Sequence, residues 1–102
     1  MRDPIHVAIE SDLEPLMPRY LQNRRADLEV LAECLRDGEY APAMRIGHGM
    51  KGSGGGYGLP QLSELGARLE QAAKAGQDGV ILALRQELED FLDRLVVTFV
   101  DE

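Results

Sequence analysis

Pro60-Gln-Leu-Ser-Glu-Leu-Gly-Ala-Arg-Leu-Glu-Gln-Ala-Ala-Lys-Ala-Gly76 decides the fold class. Leu62, Leu65, Leu69, Ala72 and Ala73 recur at spacings of three and four, which lays them on one face of a 3.6-residue helix. Proline is tolerated in a helix's first turn, where its missing N–H would have no partner, and glycine commonly ends a helix. The stretch therefore predicts one amphipathic helix opening at Pro60 and closing at Gly76.

Working outward, the same period appears on both sides. Asp78 is placed to cap a last helix that buries Ile81, Leu84, Leu88, Phe91, Leu92, Leu95 and Phe99. Upstream, Ser11 and Glu14 have the S-x-x-E spacing of a capping box, after an N-terminal segment running to Glu10. Pro15 and Pro18 then interrupt, so a short first piece and a kink should precede a main helix from about Pro18 to Arg36, with Leu21, Leu28, Leu31 and Leu35 inward. Gly38 stops it. A further helical segment runs from Glu39 to about Tyr57, with Pro42 in its first turn. No segment alternates cleanly enough to read as a strand. The expected fold is all-α: an antiparallel up-down four-helix bundle with a kinked or split first helix, residues 1–10 being an extension and 11–102 the bundle domain.

Composition agrees with one small domain. The chain has 102 residues, 44% hydrophobic but only 5% aromatic, which suits an aliphatic core on helices. A net charge of −7 repels phosphate backbones and anionic lipid, so neither nucleic acid nor a membrane is an expected partner. No apolar run reaches the roughly 18 residues a span requires. Cys34 has no second cysteine to pair with and no exported-protein leader is visible, which points to the cytoplasm. Cys34 follows Glu33, precedes core position Leu35 and has no nearby cation cluster to activate it, so it reads as a packing residue.

The chemistry concentrates in Arg45-Ile-Gly-His48-Gly-Met-Lys51-Gly52-Ser53-Gly-Gly-Gly-Tyr57-Gly58. At about 100° per residue, Ala43, Ile46, Met50, Ser53 and Tyr57 share the core side. His48 falls opposite, with Ala41, Met44, Arg45, Lys51, Gly52 and Gly55 around it. Arg45 and Lys51 stand a turn to either side and give this acidic chain a cationic spot that can offset a phosphoryl group. Gly47, Gly49, Gly52, Gly55 and Ala41 leave the approach nearly flat, as a broad partner needs for in-line phosphoryl transfer, and Met44 offers an adaptable apolar patch. A surface histidine without a role satisfies the spacing equally well.

His48-Gly-Met-Lys51-Gly52-Ser53, with Gly58 following, resembles the signature of histidine-containing phosphotransfer (HPt) domains. Tyr20-Leu21, Leu28-x-x-Leu31, the Asp37-Gly38 turn and the Leu62-Ser-Glu-Leu65 to Leu69-Glu70 helix extend the resemblance across about Ser11 to Phe99. It implies a carrier, not a kinase, in a two-component phosphorelay. His48 would take a phosphoryl group on Nε2 from a receiver aspartate or a histidine kinase and pass it to a receiver. Lys51, with Arg45 in support, would stabilise the transferring oxygens, and Gly52 would let the receiver close in. The implied partners are receiver domains or a hybrid histidine kinase, met by a monomer. No cofactor is expected of this chain, and any Mg²⁺ would belong to the partner's acidic pocket, since the sequence shows no carboxylate cluster near His48.

Seven glycines between Gly47 and Gly58 would cost about 1 kcal/mol each in a helix interior. Hence His48 to Lys51 are expected to be helical and Gly54 to Gly58 to loosen or begin the loop. Three other readings compete. Gly47-x-Gly49-x-x-Gly52 matches a nucleotide-loop pattern but lacks the preceding strand. A metal-carrying bundle needs E-x-x-H pairs, whereas the second histidine, His6, lies outside the periodic helices. A helical module that binds a receiver or kinase without being phosphorylated would show the same surface.

Overall fold

The computed structural model describes residues 2–101; Met1 and Glu102, the outer ends of the two expected segments, lie outside the described residues. Strand β1 (Ile5–Glu10) leads into a 3-10 turn (Ser11–Leu16), then helices α1 (Met17–Asp37) and α2 (Ala41–Ser53). A second 3-10 turn (Gly55–Tyr57) leads to α3 (Pro60–Lys74), α4 (Asp78–Arg94) and strand β2 (Leu95–Val100). Each helix packs on its neighbours in sequence, and α1 also meets α4.

The first helix is split as its prolines predict. Pro15 lies in the 3-10 piece and Pro18 in the first turn of α1, where the absent N–H costs no bond. Gly38 closes α1 in the left-handed conformation, φ 66°, which glycine adopts without a Cβ clash. The core is aliphatic, with Leu31, Leu62, Leu69, Ile81, Leu84 and Leu88 at 1% exposure or less. Leu21 and Leu35, expected on the inward stripe of α1, are only partly buried, while Met17, Tyr20 and Cys34 fill that face.

Two local expectations fail. Ser11 does not cap a helix: it lies inside the 3-10 turn, and its hydroxyl donates to the Asp101 carboxylate instead. Asp78 does not cap α4 either, since the N-cap is Gln77; Asp78 sits in the first turn, suits the helix dipole there, and accepts the Tyr40 hydroxyl at 2.6 Å.

The larger correction is at the chain ends, where the expected all-helical architecture gives way to a pair of parallel strands. β1 and β2 align from Ile5↔Leu95 to Glu10↔Val100. Leu95 and Phe99 had the i, i+4 spacing of a continuing helix, yet the segment is Leu-Val-Val-Thr-Phe-Val, and β-branched side chains lose rotamer freedom in a helix. Burial there alternates with period two: Leu95, Val97 and Phe99 turn inward, Val96, Thr98 and Val100 outward. In β1, Ile5, Val7 and Ile9 do the same, and Ile9 is only 2% exposed. The sheet is tethered by Arg94, whose guanidinium donates to the Asp3 carbonyl at 2.7 Å, and by Arg2, which pairs with Asp90.

Candidate functional site

The site is built on α2. Its inward face carries Ala43 and Met50, both buried, and Ile46, packed against the core. His48 lies on the other side with its side chain 73% exposed.

The α-helix stops at Ser53, as the glycine penalty requires, but the residues after it are ordered by contacts. Gly54 accepts from the Tyr57 amide at 3.2 Å and the Leu59 amide at 2.8 Å, and the Gly55 amide donates to Ser63 Oγ at 2.8 Å. Tyr57 stacks on Tyr20 with ring centroids 3.9 Å apart, and Tyr20 Oη lies 2.9 Å from Ser53 Oγ. The Arg24 guanidinium covers the Tyr20 ring at 4.7 Å. This cation and two stacked rings pin the end of α2 to α1 and offset part of the glycine cost.

Of the residues expected around His48, Ala41, Arg45, Lys51, Gly52 and Gly55 are exposed and Met44 is half-buried against the core. Among the described residues, nothing beyond their own stretch of helix lies within 4 Å of where a Cβ would stand on Gly49 or Gly52, so the approach beside the ring is open. Gly47 departs from the expectation: it is buried against α3 and contributes nothing to that surface. Arg45 is not part of the hydrogen-bonded network at His48, which consists of His48, Lys51 and a residue from α3.

That residue is Glu70. Its Oε2 lies 2.9 Å from His48 Nδ1 and its Oε1 accepts from Lys51 Nζ at 2.7 Å. Among the described residues Glu70 is the one charged residue in the core, 7% exposed. The Lys51 hydrogen bond, aided by the one from His48, holds its carboxyl below the usual carboxylate range against the opposing effect of burial. A carboxylate can only accept, so Nδ1 carries the proton, and a neutral ring then presents the Nε2 lone pair to solvent. The cationic spot read around His48 thus has an anionic member at its base. One signal for it exists in the sequence: Glu70 stands four residues after Gly66 and three before Ala73, a charge set within an apolar stripe.

His6 is exposed on β1, and among the described residues no group of three His, Cys, Asp or Glu is placed to hold a metal ion. Cys34 is buried. Among the described residues no helix is long and apolar enough to cross a membrane.

Compared with known protein families, the chain matches the Hpt domain model over residues 16–97. No curated protein and no solved structure matches it.

Proposed function

Because the chain belongs to the Hpt domain family, whose members transfer phosphoryl groups through histidine in two-component signalling, we propose that it is a phosphorelay carrier with His48 as the phosphoacceptor. We read its helices as running alternately up and down. The observation that supports the role most strongly is an exposed imidazole whose Nδ1 is held by a nearly buried carboxylate.

In this mechanism a receiver's aspartyl phosphate lies over the glycine surface, and His48 Nε2 attacks phosphorus in line. The N–P bond forms as the bond from phosphorus to the aspartyl oxygen breaks, and the aspartate departs as carboxylate. The ring gains positive character, which Glu70 offsets through the Nδ1–H bond. Lys51, half-exposed and anchored by one contact to Glu70, has further N–H donors for the phosphoryl oxygens, with Arg45 in support. Ala41, Met44, Gly52 and Gly55 form the surface on which the receiver closes. Delivery to a second receiver reverses the step. Mg²⁺ belongs to the receiver's acidic pocket, and the carrier works as a cytoplasmic monomer that meets receivers or a hybrid kinase in turn.

The test is transfer from a receiver domain carrying labelled phosphate on its aspartate. The label should appear on this chain in an acid-labile, alkali-stable form and be lost in His48→Gln. Binding without label in the wild type, unchanged in His48→Gln, would make the protein an unphosphorylated interaction module instead.

A further inference from the structure

Gly47 and Gly66 face each other where α2 crosses α3. A Cβ on Gly47 would stand 2.5 Å from the Glu70 amide nitrogen, 2.8 Å from the Gly66 carbonyl oxygen and 2.9 Å from Glu70 Cα. A Cβ on Gly66 would stand 2.5 Å from the Lys51 amide nitrogen and 2.7 Å from both the Gly47 carbonyl oxygen and Met50 Cβ. Five of these six atoms are backbone, and Met50 is itself buried at 1% exposure. No side chain can rotate away to make room, so a methyl group at either position has to push the helices apart.

The backbone atoms that close the gap include those of Glu70 and Lys51, two of the three members of the His48 network. Bringing the 2.5 Å approaches to ordinary contact at 3.4 Å takes a separation of about 0.9 Å. Added to the 2.9 Å between Glu70 Oε2 and His48 Nδ1, that exceeds the roughly 3.2 Å limit of a good N–H···O bond. Glu70 is also the longer of the two acidic side chains and its second oxygen is committed to Lys51, so it has little reach in reserve.

We propose that Gly47 and Gly66 are positioning residues for His48: they set the α2–α3 separation at which Glu70 can hold the ring proton on Nδ1. The consequence for transfer rests on His48 being the phosphoacceptor; the consequence for the ring does not. Gly49 and Gly79 have nothing within 4 Å of a built Cβ, whereas a Cβ on Gly54, just past the end of α2, would stand 2.5 Å from the Ser63 amide nitrogen, so α2 and α3 approach closely at the network and again at the end of α2.

The ring proton can be located by ¹⁵N NMR of His48 in the intact chain. In Gly66→Ala and Gly47→Ala the Nδ1–H form should give way to the Nε2–H form, and transfer from a phosphorylated receiver domain should slow about tenfold or more, the usual scale for losing a group that orients a reactive imidazole. Gly79→Ala, on α4, should alter neither. Glu70→Asp shortens the reach by one carbon–carbon bond, about 1.5 Å, on an unaltered helix pair, and should shift the ring proton in the same way. A folded Gly66→Ala protein that keeps the Nδ1–H form overturns the proposal; if neither alanine variant folds, an unshifted Glu70→Asp ring does so. A wild type that takes no label from the receiver, with its ring proton on Nδ1, would sink the carrier reading and leave the positioning intact.

Discussion

Glu70 has both carboxylate oxygens committed, one to His48 and one to Lys51, so removing its charge should be felt at both. Glu70→Gln can still accept from Nδ1 but no longer offsets charge on the ring, and transfer to and from His48 should slow about 10- to 100-fold in single-turnover assays. The same carboxyl is more acidic in the folded chain than an ordinary glutamate, chiefly because Lys51 donates to it. A group with a lowered folded pKa contributes stability that is complete above its unfolded pKa and is lost as pH falls through the folded one. Melting curves taken from about pH 5 down to pH 3 should therefore show the wild type losing Tm faster than Glu70→Gln. At this scale His48 and Lys51 were legible because one helical wheel holds them both, with the histidine opposite Ile46 and Met50. Glu70 was not, because its partners lie on another helix 19 and 22 residues away, and no periodicity reports which helix faces which.

The elements divide in the same manner. The helices of the bundle were legible from apolar spacing, glycine stops and first-turn prolines, all properties of contiguous residues. β2 was not, because Leu95 and Phe99 fit a helix as well as a strand, and the partner that decides between them is 90 residues upstream. Gly47 was misplaced because glycine has no polarity to mark which face it occupies; only the α3 backbone against it reveals that it is buried. In α2, by contrast, Gly49 is helical and open. Gly49→Ala should raise stability by about 1 kcal/mol in urea titrations. It should also slow transfer, because the added methyl would stand on the face proposed to receive a receiver domain. Higher stability joined to slower transfer would mark that glycine as kept for access.

For the whole molecule, the paired strands join the two ends of the chain and cover the core through Ile9. Ile9→Ala removes a side chain only 2% exposed and should cost about 2–5 kcal/mol in denaturant unfolding. Phosphoryl acceptance by the fraction that remains folded should be unchanged, since β1 lies outside the His48 network. The central claim is that one nitrogen of one exposed ring receives the phosphoryl group. It is tested most directly by ³¹P–¹⁵N correlation NMR on the chain after reaction with a phosphorylated receiver domain. The account predicts a single phosphohistidine signal coupled to Nε2 of His48, with the Nδ1 proton still donated to Glu70. A phosphoryl group on Nδ1, on His6, or on no histidine at all would contradict it.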